Sequence, residues 1–564
     1  MPRQDRNAPV DLQRYQWVAL SNTTLGALMA TVTGSIVLIS MPAIFNGINL
    51  NPLEPANVSY LLWMIMGFTL VTAVLTTTFG RLGDIYGRVR IYCLGFVVFT
   101  IAAIALSVDP FTGGHGALWI VLWRLVQAVG GAMLFANSTA ILTDAFPAGK
   151  RGFAMGVNQV AALAGTFIGL ILGGLLASIH WRMVFLASVP VGIIGTIWSY
   201  VSLRELGERH KGKLDIRGNI MFAAGLICIL VAITYGIQPY GGHTEGWTNP
   251  MVLGGLALGL ALLAAFVWVE KRTSDPMFNI SLFSIRVFTF GNLAALLSAI
   301  ARGGLQFMLI IWLQGIWLPM HGYAYADTSL WAGIYLLPLT IGFILAGPTS
   351  GILSDKVGST IFAPVGLAIT AVAFIALMLI PVNFNYWAFG VIIFCAGVGS
   401  GMFAAPNRAT IMSSVPAQYR GAASGMAGTF QNAGNSLSNG IFFSLMVAGL
   451  AASLPQAMTA GLTAHGVSAA TAASVASQPP VGILFAAFLG YNPIQTLLGH
   501  SELATLTSQQ AATLTGQQFF PHLISQPFQQ GLTIVFTAAA VMSAIAALAA
   551  LARGRRTTIH STAV

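Results

Sequence analysis

Residues Gly80–Arg90 read GRLGDIYGRVR, between two long apolar runs. Gly80 and Gly87 let two helix ends turn tightly against neighbouring backbone. Asp84 suits a helix N-terminus and an ion pair with Arg81 or Arg88. The pattern returns at 351–358 as GILSDKVG, with Gly351, Leu353, Asp355 and Gly358 repeating Gly80, Leu82, Asp84 and Gly87 at an offset of 271. Ser359 stands where the first copy has Arg88, so any ion-pair cluster in the second copy is weaker. Pro147, Arg151, Gly152 and Gly156 recur as Pro416, Arg420, Gly421 and Gly425, at an offset of 269. Two registers agreeing within two residues mark a duplicated unit.

The rest of the chain fits a membrane protein. Of its 564 residues 56% are hydrophobic and 7% charged, and the mean hydropathy is +0.79. A soluble domain carries roughly 25% charged residues. Fourteen segments reach the about 20 apolar residues a helix needs to cross a bilayer. They lie near 17–44, 58–79, 89–108, 116–144, 152–177, 182–202, 216–237, 250–269, 287–317, 328–350, 360–381, 386–412, 421–450 and 528–551. The reading is an all-α membrane protein of fourteen spans. It has a tail at 1–16, a six-helix half at 17–202, a linker at 203–286 with two extra helices, a second six-helix half at 287–551, and a tail at 552–564. Residues 1–16 are polar and the first apolar run is too long for a cleaved signal peptide.

The net charge of +10 is a topology signal. Arg182 falls on one side, and Arg124, Arg302 and Arg408 fall within spans; the other 21 of the 25 Lys and Arg share the side of the N-terminus. Positive-inside sorting therefore makes both termini cytoplasmic, and nucleic-acid binding is not expected. Cys93, Cys228 and Cys395 lie in apolar runs without metal or disulfide spacing, so no metal site or cofactor is expected. The long outer stretch 452–526 contains an apolar segment, Pro479–Leu498. Pro479, Pro480 and Pro493 argue against a full span, so a re-entrant or interfacial helix touching the membrane surface or an unidentified partner is expected.

GRLGDIYGRVR resembles the loop 2–3 motif of the major facilitator superfamily, and two six-helix halves with two central helices resemble its fourteen-span drug:proton antiporter branch. Arg124 and Gln127, followed by Gly130-Gly131-Ala132, are similar to that branch's span 4 motif, with Ala128 at a position usually held by Gly. Gly156, Gly165, Gly169, Gly173 and Gly174 follow its antiporter-motif glycine spacing in span 5; Leu170 stands where the motif has proline, which leaves transport direction open. The resemblance implies a multidrug efflux transporter of a bacterial cytoplasmic membrane. It implies that Gly80, Asp84, Gly87, Arg88 and Asp144, with Gly351, Asp355 and Gly358 in the second copy, form an inner gating latch, and that the span 5 glycines seal the two halves.

The residues themselves add the chemistry. Burying an ion in a bilayer costs at least about 3 kcal/mol unless it is paired or used. Arg124 and Arg302 are therefore substrate-binding candidates, with holding helices together as their alternative role. Gln127 beside Arg124, and Gln306 one turn beyond Arg302, join them. Gln431 and Asn435, continued by Asn439, make a polar stripe in span 13 that is either cavity lining or interhelical glue. Phe307, Trp312 and Trp317 nearby suit an amphipathic ligand. No carboxylate falls mid-span: Thr33 stands where the family usually carries Asp, and Arg, with a pKa above about 12, is no proton carrier. The expected function is alternating-access transport of amphipathic small molecules, anionic or neutral, coupled to protons by resemblance. Alternatives are an uncoupled uniporter or exchanger, a lipid-like substrate, and a non-transporting sensor as a distant third. No catalytic constellation and no Walker A loop is present in the sequence, so an enzyme is not expected.

Overall fold

The computed structural model describes residues 11–51, 54–147, 150–207, 215–273, 278–357, 359–416, 419–490 and 492–553. The first half comprises α1 (Leu12–Gly47), α2 (Pro55–Tyr86), α3 (Arg88–Ser107), α4 (Gly113–Ala145), α5 (Arg151–Ile179), and a sixth span split into α6 (Met183–Leu186) and α7 (Ser188–Ser202). The insert is α8 (Ile216–Gly236) and α9 (Pro250–Glu270). The second half begins with α10 (Arg286–Ile311), which runs through a π turn (Trp312–Trp317) into α11 (Leu318–Met320). It continues with α12 (Tyr325–Tyr335), α13 (Leu337–Val357), α14 (Ser359–Leu379), α15 (Tyr386–Ser413) and α16 (Arg420–Ala451). The outer loop folds into α17 (Leu454–Ala464), α18 (Ala469–Ala476), α19 (Pro480–Phe488), α20 (Ile494–Leu503) and α21 (Ser508–Thr515) before α22 (Phe519–Ala552).

Local chemistry sets many of these boundaries. Asp11, Asp215, Asn249 and Asn385 accept hydrogen bonds from the first turns of α1, α8, α9 and α15, satisfying donors that a helix start leaves free. Pro55 and Pro250 open α2 and α9, where a missing N–H is harmless. Gly87 alone separates α2 from α3, at φ 114°, a conformation that only glycine takes without strain.

Thirteen helices among the described residues are long and apolar enough to cross a membrane. The remaining span, α16, has 32 residues; Gln431, Asn432, Asn435 and Asn439 lower its hydropathy. The chain is a multi-pass membrane protein. One expectation changes and another narrows. The last span starts at Phe519 rather than near 528, because Pro527 sits inside α22 and does not end it. For the segment 479–498 the structure favours the re-entrant alternative: α19 follows α18 at a bend of 83°, and every residue of α19 is buried, among α10, the π turn, α16 and α2. Nine apolar residues without a charge are better satisfied by protein than by an aqueous interface. Gly358 and the side chain of Asp355 lie outside the described residues, as do 1–10 and 554–564 of the tails.

The face carrying the basic residues is called inner. On the outer side the halves meet. Ile39 of α1 offers its carbonyl to Ser329 of α12, at 3.0 Å, and to Gln314 of the π turn, at 3.4 Å. A Cβ at Gly174 of α5 would fall 2.5 Å from the Leu330 Cα, and one at Gly333 3.3 Å from the Leu170 backbone. Towards the inner side α2 and α16 still touch, through Thr77 and Thr429 at 2.5 Å. There, however, a Cβ at Gly156 of α5, or at Gly425 or Gly428 of α16, would meet nothing within 4 Å. The two halves are thus held together on the outer side, and on the inner side these glycines have no such close partner.

Candidate functional site: unpartnered polar groups on two packed helices and an inner ion-pair cluster

Arg302 and Gln306 lie one turn apart on α10, both half-buried. α16 crosses the same level: a Cβ at Gly303 would fall 2.9 Å from Ser438 Oγ and 3.6 Å from the Asn435 carbonyl. Ser438 Oγ donates to the Ile300 carbonyl, fixing the two helices in register. Gln431, Asn435 and Asn439 follow on α16, each half-buried. Among the described residues none of Arg302, Gln306, Gln431, Asn435 and Asn439 has a side-chain hydrogen bond or ion pair within the protein. A guanidinium and four amides are thus left without a protein partner along the packed stretches of α10 and α16, where a polar ligand group or water can complete them.

Arg408 on α15 is also half-buried and unpaired among the described residues. Its neighbour Asn407 donates to the Gly291 carbonyl of α10 at 3.1 Å. Gly291 precedes Arg302 by eleven residues, about 16 Å along a helix, so Arg408 lies nearer the inner mouth.

Arg124 has different surroundings. It is 2% exposed, donates to Gln127 Oε1 at 3.1 Å and to the Thr33 carbonyl at 3.3 Å, and stands 4.7 Å over the Phe68 ring. The structure thus brings Arg124 and Gln127 to each other, inside the first half and away from solvent, and does not bring them to Arg302. Phe307, Trp312 and Trp317 are also closed off. Trp312 and Trp317 donate to the Val382 and Phe384 carbonyls, each at 3.0 Å, and Phe307 packs on Phe443 and Phe488. They are packed into the protein and are not open beside Arg302.

On the inner side Arg88 gathers two carboxylates. Its Nη2 reaches Asp84 Oδ1 at 2.7 Å and its Nη1 reaches Asp144 Oδ1 at 2.5 Å. The α2–α3 turn is thereby tied to the end of α4. Asp84 ends α2 and pairs with Arg88, and does not cap a helix start. That role falls to Glu205, whose Oε1 accepts from Arg88 N at 2.8 Å. Gly80 faces Ala136 of α4 at 3.9 Å, and Gly351 faces Ala405 of α15 at 3.8 Å, so the two copies of the motif occupy matching places in the two halves.

The span 5 glycines divide their work. Gly165, Gly169 and Gly173 press α5 onto α1, where Cβ atoms would come within 2.9, 2.5 and 2.8 Å of the Leu28, Val32 and Ile36 carbonyls. That seam lies within the first half. Gly174 alone of the five faces the other half, and Gly156 faces open space.

Comparison with known proteins decides the family. The model of the Major Facilitator Superfamily matches residues 23–267 and 218–439. The chain belongs to that superfamily. It is a secondary transporter and not an enzyme. This major facilitator protein is 26% identical over 547 residues to the tetracenomycin C resistance and export protein of Streptomyces glaucescens, covering 96% of this chain and 92% of that one. It is 27% identical over 440 residues to the riboflavin transporter of Clostridioides difficile, covering 78% and 90%. Over 461 residues it is 26% identical to the methyl viologen resistance protein of Salmonella typhimurium, covering 81% and 87%. The fold matches a crystal structure of a bacterial homolog of the human lysosomal transporter Spinster, inward-facing and unoccupied, with TM-score 0.57, 16% identity and coverage of 96% and 99%. It also matches a partially occluded inward-open form of the Escherichia coli xylose transporter, with TM-score 0.52, 14% identity and coverage of 77% and 92%.

Sequence reasoning missed two carboxylates of this transporter. Glu205 left no signal, because its partner is a backbone amide 117 positions away. Glu245, in the outer loop of the insert, accepts from Ser444 Oγ of α16 at 2.7 Å, and Trp247 Nε1 donates to the same hydroxyl at 3.0 Å. Burial pushes the Glu245 carboxyl above the ordinary range, against the lowering effect of those hydrogen bonds. The same loop reaches α2, where Gln238 Nε2 donates to Ser59 Oγ at 3.1 Å. The insert therefore bridges α2 and α16 on the outer side.

Proposed function

We propose that this protein exports amphipathic small molecules from the cytoplasm across a bacterial cytoplasmic membrane, and that it favours ligands with an anionic group. One observation carries the reading: Arg302 has no partner in the protein, nor have Gln306 one turn on and Gln431 and Asn435 of the helix packed against α10, and none of these groups is a carboxylate. A cation held in a low-dielectric cavity attracts an anion and repels a cation more strongly than it would in water, and a ligand's negative group would supply its missing partner. Contact of the halves on the outer side fits access from the inner side, where an export substrate is bound, and Arg408 adds a second cation nearer that side. The names of the relatives, two of them resistance proteins, support a drug-like substrate class.

Alternating access places the ligand between the two halves. Thermodynamic export needs a gradient, and the proton gradient is the one the family resemblance supplies. The lack of a mid-span carboxylate favours a second reading, uncoupled uniport or exchange. Energised inside-out vesicles test both, using matched cationic and anionic lipophilic dyes with and without a protonophore. Uptake of the anionic dye, lost in R302A, is the expected result. Uptake of the cationic dye alone overturns the anionic preference. Uptake insensitive to the protonophore selects the uncoupled reading.

A further inference from the structure

The outer loop between α16 and α22 does more than connect them. Its chain turns by 83° between α18 and α19, so that α19 points into the molecule. Every residue of α19 is buried, and Ile483, Leu484, Phe485, Ala486 and Phe488 have no exposure at all. Such burial is unusual for a nine-residue piece of loop, since connecting segments normally run over a surface.

Two sides of α19 are bound differently. Phe485 stacks on Phe443 of α16 at 4.8 Å between ring centroids, and Phe488 meets Phe307 of α10 edge-on at 5.7 Å. A Cβ at Gly315 in the π turn would fall 2.6 Å from the Ala487 carbonyl, so α10 and α19 approach backbone to backbone. The end of the loop holds to the same half: Tyr325 Oη donates to the Gln517 carbonyl at 2.9 Å, and Gln517 donates to the Tyr323 carbonyl. The remaining neighbour of α19 is α2, from the first half. At 100° per residue, Ile483 and Ala486 point away from the side that carries Phe485 and Phe488 and so are the residues left for α2, with Ile483 sharing its edge with Ala487.

We propose that α19 is the outer plug of the transport pathway: a wedge that travels with the second half, fills the outer gap beside α2 in the inward-open state, and parts from α2 when the outside opens. An apolar helix suits this role. Against α2 it forms a dry seam with no hydrogen bonds to break, which excludes water and ions while the inner side is open. The contacts to the second half are aromatic and close, so the seam with α2 is the weaker one. This inference rests on the alternating-access reading and not on the substrate class.

The test uses single-cysteine variants, I483C and A486C, in the full chain with Cys93, Cys228 and Cys395 replaced by serine. A membrane-impermeant maleimide is applied from the outer side. Labelling is compared with the same variants carrying G174W, which cannot fit beside Leu330 and forces the outer α5–α12 seam apart. G333W does the same from the other side of that seam, should G174W fail to fold. S329C reports independently that the seam has opened. Slow labelling of Ile483→Cys and Ala486→Cys in the parent, rising at least about tenfold with G174W or G333W, is expected. Equally fast labelling in both backgrounds overturns the proposal, because the segment is then not inserted. Equally slow labelling in both, while Ser329→Cys becomes reactive, also overturns it, because α19 is then a fixed wall.

Discussion

Arg88 and Asp144 face each other at 2.5 Å across the inner ends of α3 and α4, although 56 residues separate them. With Asp84 on the same guanidinium at 2.7 Å, the pair locks the α2–α3 turn to α4. All three side chains are partly exposed, so each contact is worth about 1 kcal/mol after screening, or about fivefold in an equilibrium. D84N and D144N are each expected to slow dye transport in vesicles several-fold while membrane insertion stays normal. The double variant should lose less than the product of the two, because they share Arg88. Unchanged transport rates would leave the cluster a mere fold-holding turn.

Arg124 and Arg302 separate by experiment. R302A removes a cation that no protein group neutralises, so it should abolish anionic-dye uptake and leave the purified protein as stable as the parent. R124A leaves Gln127 Oε1 buried without its donor and strips the guanidinium from over Phe68. A buried polar group without a partner costs about 1–3 kcal/mol, so R124A should lower the unfolding temperature and the folded yield. Thermal unfolding in detergent, set beside uptake per folded molecule, tells the two apart. Loss of stability in R302A would make that arginine a structural one as well.

The spans were legible because each is about 20 apolar residues, and hydropathy needs no tertiary knowledge to read. The duplicated motif was legible for the same reason: Gly80, Asp84 and Gly87 recur in chain order. The site was harder. Arg124 and Arg302 look alike as charges in apolar runs, and only packing against Phe68, Gln127 and Thr33 distinguishes the one that has protein partners. Aromatic residues gave no hint of which way they face, so Trp312 and Trp317 read as lining when they are sealed at the outer end. The segment 479–498 was visible as apolar and too broken to span, but burial inside the protein and burial at an interface have the same composition.

The span 5 glycines give a stability contrast. G169A places a methyl group 2.5 Å from the Val32 carbonyl and against Ser35 Oγ, where backbone cannot yield. Overpacking of this kind costs about 1–3 kcal/mol. G156A adds the same methyl to open space and gains helix propensity, up to about 1 kcal/mol. Thermal unfolding should therefore fall for G169A and hold or rise for G156A. Equal losses at both positions would mean that α5 does not sit against α1 as described.

Glu245 provides the pH dependence. Its carboxyl titrates above the ordinary carboxylate range in the folded, outer-closed protein because burial disfavours its charge. A raised carboxyl binds its proton more tightly folded than unfolded, so the stability it contributes is present in full below the ordinary carboxylate pKa and is lost as pH rises through the raised value. Asp109, at the outer end of α3, is raised by burial too and adds a slope of the same sign, so the comparison must be between the parent and E245Q. Acidifying from neutral towards pH ~4 should stabilise the parent more than E245Q, read as the difference in unfolding temperature at each pH. The same proton stabilises the outer-closed form if opening hydrates Glu245. In that case G174W, which forces the outside open, should flatten the parent's profile towards that of E245Q. Parallel pH profiles for parent and E245Q would show that the carboxyl is hydrated even when the outer side is closed.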